Sequence, residues 1–248
     1  MVVVTYDKLP PLTIGPHERV FVLTGAGISA ESGISTFRDK DGLWERHRIE
    51  DVASPGGWHA DAGVVWRFYS ERRAQAETVL PNAAHVALAE LEQRLENRLF
   101  LCTQNVDPLH ERAGSRRVLH MHGELFKTRC ENAYCSTSPR EDHGVYMTKE
   151  EIPRCGECDA RLRPHICWFG EMPFDMDRIA RELARCDWFI TIGSSGAVYP
   201  AAGFVEEVRS HGRARKIYVG PERPDNAAHF DECRLGRAGE VVPVLFSV

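Results

Sequence analysis

The chain has 248 residues, 43% hydrophobic and 27% charged, a balance that excludes a disordered chain, a collagen or a coiled coil. This length fits one large domain, or a domain carrying a smaller insertion, and such a body buries on the order of 70–75% of its unfolded surface without a disulfide or metal to hold it. The net charge of −5 gives no overall positive field to draw nucleic acid or an anionic membrane, so neither is expected as a partner.

Short apolar runs alternate with stretches of helical period, the pattern of an α/β protein with a doubly wound, mostly parallel Rossmann-like sheet. The N-terminal Met1-Val2-Val3-Val4 is too short for a secretory signal and lacks its basic start. In chain order the spacing predicts a strand over Val20–Thr24, then helices over Ala62–Val79 and Ala83–Arg94, with Pro81 and Asn82 marking the break. Strands follow over Leu99–Thr103 and Val118–His122, then a helix over Pro173–Cys186 and strands over Trp188–Ile192 and Lys216–Val219. The uncharged run from Trp188 to Val205 holds three Gly and a Pro, so it reads as a buried strand and a loop rather than a membrane span. Two segments break the rhythm: 40–80 reads as a helical insertion and 126–168 as a zinc-binding module within a single domain spanning 1–248. With no export signal, the eight Cys point to metal ligands or buried thiols in a reducing, cytoplasmic compartment.

The first strand runs into Gly25-Ala26-Gly27-Ile28-Ser29-Ala30, a G-x-G-x-x-A pattern. Small residues let the backbone turn tightly and approach a pyrophosphate, whose charge meets backbone N–H groups at a helix start. No acidic residue ends a second strand some twenty positions on, which argues against hydride chemistry. Cys130 and Cys135 have four residues between them, Cys155 and Cys158 two, with nineteen between the pairs. Such pairs can set four thiolates tetrahedrally around Zn2+, and a filled quartet leaves no open position for water, so the metal is expected to be structural. Cys102 and Cys186 sit among apolar residues as small core hydrophobes, while Cys167 and Cys233 carry no assignment. His120 and His122 alternate on a predicted strand and share a sheet face, and spacing alone does not choose between them as a base. Gln104, Asn105 and Asp107 follow the strand Leu99–Thr103 at its carboxyl end, where parallel sheets collect ligands.

The stretch from Gly25 to Asp39 resembles the signature of the sirtuins, the NAD-dependent protein lysine deacylases. Further blocks agree in order: Gln104–Asp107, His120–Glu124, Trp168–Glu171, and Gly193–Ser195 followed by Pro200-Ala201-Ala202, so the likeness runs from about Val20 to Pro243. The resemblance implies an NAD site on Gly25, Ala26, Gly27, Ala30, Glu31, Phe37, Arg38, Trp44, Gln104, Asn105, Val106, Asp107, Gly193, Ser194, Ser195, Gly220, Glu222 and Ala238. It implies His122 as general base with Asn105 as its catalytic companion, and acyl-lysine proteins or peptides as partners. The reaction implied is attack of an acyl oxygen on the nicotinamide ribose, ending in free lysine, nicotinamide and O-acyl-ADP-ribose. Substrate contacts are implied for Ala53, Tyr69, Arg72, Trp168, Phe169, Gly170, Glu171 and Val198. Tyr69 and Arg72 lie three apart on one predicted helix face and resemble the pair of the desuccinylase and demalonylase subgroup, with Ala53 as the small neighbour leaving room for a longer acyl chain. Three positions depart from the family pattern. Ser35 replaces a Pro, Gly220-Pro221-Glu222 replaces Asn-x-Glu and so removes a side-chain contact to the adenosine ribose, and a final helix is short or missing. Two rival readings remain open: an NAD glycohydrolase or ADP-ribosyltransferase on the same scaffold, and a zinc-stapled binding module without catalysis.

Overall fold

The computed structural model describes residues 10–35 and 47–247 in full, with the backbone alone of two short strands, Val2–Thr5 and Leu43–Trp44. Phe37 and Arg38 lie outside the described residues, as does the Trp44 side chain. The chain passes through β1 (Val2–Thr5), β2 (Val20–Thr24), the hairpin β3 (Leu43–Trp44) and β4 (His47–Arg48), then α1 (Ile49–Val52), α2 (Pro55–Ala60), α3 (Ala62–Thr78) and α4 (Ala83–Leu95). It continues through β5 (Leu99–Thr103), α5 (Leu109–Arg112), β6 (Val118–His120), β7 (Gly123–Cys130), β8 (Arg140–Glu141), β9 (Leu162–Ile166) and α6 (Met176–Leu183). It closes with β10 (Trp188–Ile192), α7 (Phe204–His211), β11 (Arg215–Gly220), β12 (Glu232–Leu235) and α8 (Ala238–Leu245).

Seven parallel strands form the main sheet in the order β1-β12-β11-β10-β2-β5-β6. β2 is buried at every residue, as a continuous Val-Phe-Val-Leu-Thr run covered on both faces must be. Its alternate side chains feed two cores. Val20 and Val22 pack with Leu88 and Leu91 of α4 and Val241 and Val242 of α8, while Phe21 and Leu23 pack with Ile179 of α6 and Phe204 of α7. From β2 the chain moves outward to β5 and β6, then returns to β10 and moves the other way. The strand order therefore reverses between β2 and β10, and the crevice at their carboxyl ends is the ligand position of such sheets.

A third core joins α1–α3 to the antiparallel sheet β8-β7-β9 through Val52, Trp58, Trp66, Phe68, Leu125, Ile166 and Trp168. α3 begins where Asp61 accepts hydrogen bonds from the N–H groups of Gly63 and Val64, satisfying two donors that no helical carbonyl reaches.

Several elements differ from the sequence reading. β6 ends at His120, not His122, because the chain turns at Gly123, whose φ of +88° brings its α-carbon so close to β9 that a Cβ there would lie 2.0 Å from the His165 carbonyl oxygen. α6 covers Met176–Leu183 rather than Pro173–Cys186, since Asp175 is left-handed at φ 57° and starts the helix late. The run to Val205 read as loop ends in a 3-10 turn at Ala201–Gly203, and α7 takes its last two residues. The glycine loop enters two 3-10 turns, Ala26–Ile28 and Ala30–Ser32, instead of the expected helix start, and Gly33 at φ 95° ends the second. The final helix, α8, is short, as expected.

Candidate active site

At the crevice the two backbones touch. The Gly25 N–H donates to the Ile192 carbonyl at 3.0 Å and the Gly27 N–H to the Gly193 carbonyl at 2.8 Å. A Cβ on Gly27 would lie 2.7 Å from that same oxygen, and Gly193 itself is left-handed at φ +66°. The sequence reading gave these glycines to a pyrophosphate; the structure adds that they let the loops after β2 and β10 close on each other.

Around this contact the side chains form a connected set. The Ser29 hydroxyl, fully buried, receives the Asn105 amide Nδ2 at 3.1 Å and donates to Asp107 Oδ2 at 3.1 Å. Asn105 Nδ2 also donates to the Gly25 carbonyl, leaving Oδ1 without a partner among the described residues. Gln104 Nε2 donates to the Ser194 hydroxyl at 3.0 Å, tying the β5 end to the β10 end. Asp107 is 6% exposed, and burial raises its pKa against the lowering hydrogen bonds from the Leu109 N–H and Ser29. Asn82, read from sequence as a break, caps α4 and donates to the Ile28 carbonyl at 2.7 Å, clamping that helix to the glycine loop.

The two histidines are distinguished by their partners. His120 faces the Asn105 carbonyl at Nδ1, 2.9 Å, and the Glu111 carboxylate at Nε2, 2.8 Å. Burial opposes its charge, but the Glu111 hydrogen bond and charge outweigh it and the pKa is raised. His122 donates from Nδ1 to the Gln104 carbonyl at 3.0 Å, and its Nε2 has no partner among the described residues. Burial lowers its pKa with only that carbonyl pulling back, so the ring is neutral near pH 7 with an open lone pair at Nε2.

The remaining expected residues fall around this centre. Ala26 and Ala30 lie in the 3-10 turns. Glu31 is occupied by the Gly239 N–H at 2.7 Å, beside buried Ala238 at the start of α8. The Val106 carbonyl accepts from the Leu125 N–H, the Ser195 hydroxyl from the Ala197 N–H, and the Val198 carbonyl from the Ala202 N–H. Gly220 ends β11 with the Tyr218 hydroxyl 2.2 Å from where its Cβ would stand, and Glu222 is exposed.

A second group sits between α3 and the segment after β9. Tyr69 and Arg72 are 1% and 6% exposed. Arg72 donates to the Phe68 carbonyl at 3.1 Å and its guanidinium lies 3.6 Å over the Phe68 ring. Ala53 accepts the Phe169 N–H at 3.0 Å, next to the left-handed Gly170, and Phe169 is 48% exposed. The Glu171 carboxylate is engaged by Arg163 at 2.6 and 2.9 Å, by Arg129 at 3.3 Å and by the Trp168 N–H at 2.8 Å. Sequence reasoning missed Ser29 as a hub, though it stood inside the glycine pattern, and missed Glu111 and Arg163, which lie outside the blocks that hold their partners His120 and Glu171.

The four cysteine sulfurs of β7 and the turns beyond lie within 4.8 Å of one another, with Cys130 to Cys158 at 3.5 Å and Cys135 to Cys155 at 3.7 Å. Four thiolates at about 2.3 Å from a tetrahedral zinc stand roughly 3.8 Å apart, so the donor set fits that ion. The polar set at the crevice likewise fits a dinucleotide: an amide oxygen with no partner among the described residues, a buried carboxylate and hydroxyls on both loops.

A Rossmann-like sheet with its polar residues at the switch point, a neutral histidine beside them and a cysteine quartet in a satellite lobe define the architecture of a nucleotide-dependent enzyme with a structural metal. The Sir2 family model matches residues 25–200, and the chain belongs to that family. A relative from Shewanella oneidensis, named NAD-dependent protein deacylase, is 54% identical over 231 residues, covering 92% of this chain and 93% of its own. A Sir2 homologue solved with ADP-ribose matches with a TM-score of 0.83 at 40% identity, over 93% of this chain and 92% of that one. A Sir2 homologue–NAD complex matches at 0.82 and 41% identity, over 93% and 89%.

Proposed function

We propose that this chain is an NAD-dependent protein lysine deacylase with His122 as its general base, working as one catalytic domain. The observation that carries the assignment is the asymmetry of the histidines: His120 is held by Glu111, whereas the Nε2 of His122 has no partner among the described residues and burial lowers the ring's pKa. When bound, NAD supplies a glycosidic bond whose nicotinamide can leave in favour of an acyl oxygen. The residues of the chain do the rest. Asn105 Oδ1 and Asp107 orient the sugar and carboxamide groups, the closed glycine loops exclude competing water, and His122 Nε2 takes a hydroxyl proton while Nδ1 stays anchored on Gln104. Zn2+ on Cys130, Cys135, Cys155 and Cys158 would hold the small lobe together and take no part in the chemistry.

For the acyl group, the buried Tyr69 and Arg72 support selection of a chain ending in a carboxylate, succinyl or malonyl, because a buried guanidinium and phenol suit an acceptor-only group. The net charge of −5 supports acyl-lysine proteins or peptides rather than nucleic acid as partners, and no helix among the described residues is long and apolar enough to cross a membrane. The gathering of four cysteines around one metal position supports a reducing, cytoplasmic setting. The test is nicotinamide release from NAD with matched acetyl-lysine and succinyl-lysine peptides. Release that needs no acyl-lysine would assign the chain to the glycohydrolases instead.

A further inference from the structure

Tyr69 is buried, and its hydroxyl faces the Trp168 indole at 3.1 Å. An indole N–H can only donate, so the phenol oxygen is the acceptor here and its own proton must go elsewhere. Among the described residues that proton has no acceptor. Burial raises the Tyr69 pKa far more than Trp168 and Arg72 lower it, so the proton stays on the oxygen. A buried donor without an acceptor is costly, and its persistence beside Arg72 marks it as reserved for a ligand.

The indole itself cannot turn away. The Arg163 guanidinium lies 3.3 Å over the Trp168 ring, the same guanidinium grips Glu171 through two bonds, and Glu171 accepts the Trp168 backbone N–H. Trp58 packs against the ring at 5.8 Å between centroids. We propose that Trp168 is a positioning residue for acidic-acyl selection: by filling the acceptor side of the Tyr69 hydroxyl it fixes that phenol as a donor, and the Arg163–Glu171 pair locks the indole in place. This rests on the acidic-acyl reading above. An ionised carboxylate accepts hydrogen bonds and never donates, so a phenol of fixed donor polarity favours it, while an acetyl methyl gains nothing from it.

The test compares kcat/KM for succinyl-lysine and acetyl-lysine versions of one peptide in the zinc-bound protein. Trp168→Phe keeps an aromatic ring under Arg163 while removing the N–H together with the five-membered ring that carries it; it should lower the succinyl-to-acetyl ratio about fivefold to tenfold, mainly through the succinyl KM. In a Tyr69→Phe background the same change should lower the ratio no further, because Trp168 acts through that hydroxyl. Arg163→Lys, which keeps the charge toward Glu171 but removes the flat face over the indole, provides a second route to the same shift should Trp168→Phe fail to fold. An unchanged ratio in these variants, while Tyr69→Phe and Arg72→Met lower it, overturns the role of Trp168 and leaves acidic-acyl selection standing. Losses that simply add in the double variant overturn it as well. If none of the four variants moves the ratio, acidic-acyl selection itself fails and this inference falls with it.

Discussion

Acidification from pH 7 to pH 5 should weaken this fold through one histidine in particular. His85, in the first turn of α4, is fully buried, accepts the Asn82 N–H at Nδ1, and packs 5.0 Å from the His110 ring. His110 in turn contacts the Thr24 hydroxyl, which donates to Thr103, whose oxygen receives the Asn105 N–H, so this cluster lies directly beneath the active site. Burial pushes the His85 pKa from 6.5 down to about 4, with Glu111 pulling weakly the other way. Between those two values the unfolded chain binds a proton that the folded one refuses. Stability therefore falls as pH drops through that window and levels off below it. At pH 5 this single group weighs about 2 kcal/mol against folding, compared with about 0.2 kcal/mol at pH 7. Urea titrations at both pH values measure it, with His85→Asn as the control: the Asn side-chain oxygen can accept the Asn82 N–H and does not titrate. The wild type should lose about 2 kcal/mol more than the variant between the two pH values, and zinc release or histidines remote from His85 cancel in that difference. Equal losses would refute the argument, since they would mean that His85 protonates at its ordinary pKa inside the fold.

Three further outcomes follow from the site. His122→Ala should abolish acyl transfer at nearly unchanged urea stability, and wild-type kcat/KM should rise with pH through an apparent pKa below 6.5 to a plateau by neutrality; an equally dead, folded His120→Ala would contradict the assignment. Arg72→Met should lower the succinyl-to-acetyl ratio of kcat/KM by about 30-fold or more, as expected when one partner of a buried charge pair is truncated at a cost of roughly 2 to 5 kcal/mol, and a uniform loss on both substrates would count against the carboxylate trap. Removing zinc with a chelator should unfold the small lobe, seen as loss of near-UV dichroism from Trp58 and Trp66, and added zinc should restore both signal and activity; a metal-free protein of full stability would disprove a structural role.

The strands β2, β5 and β10 are legible to the residue because strands covered on both faces need unbroken apolar runs, and Val20–Thr24, Leu99–Thr103 and Trp188–Ile192 supply them. β12 escapes that test. Its Arg234 is buried yet paired with Glu232 and the Pro10 carbonyl, a compensation that no local pattern announces. α2 begins Pro-Gly-Gly and depends on the Ser54 cap rather than on propensity, while β9 carries Pro164 and β7 is irregular in register, so neither follows a strand period. The glycine loop and the cysteine quartet carry a signal in their own spacing, whereas the role of Gln104, Asn105 and Asp107 rests on likeness to a family, since by themselves they read equally as a polar turn at a strand end. The choice between His120 and His122 came only from likeness to a family, because it depends on Glu111, nine positions from His120 on a separate helix.

The contacts between α3 and the cysteine-bearing sheet bear on how the protein could be re-engineered. Trp66 donates its indole N–H to the Leu162 carbonyl, Ser70 its hydroxyl to the Tyr146 carbonyl, and Arg73 its Nε–H to the Leu125 carbonyl, while Trp58 reaches Glu131, the neighbour of Cys130. The helix that presents Tyr69 and Arg72 is thus stitched along its length to the metal-binding lobe by partners from distant parts of the chain. A chimera that swaps either segment alone would break these stitches, leaving indole and guanidinium donors stranded in an apolar seam. The transplantable unit is the pair, residues 49–78 together with 123–171, and acyl preference would travel with both or with neither.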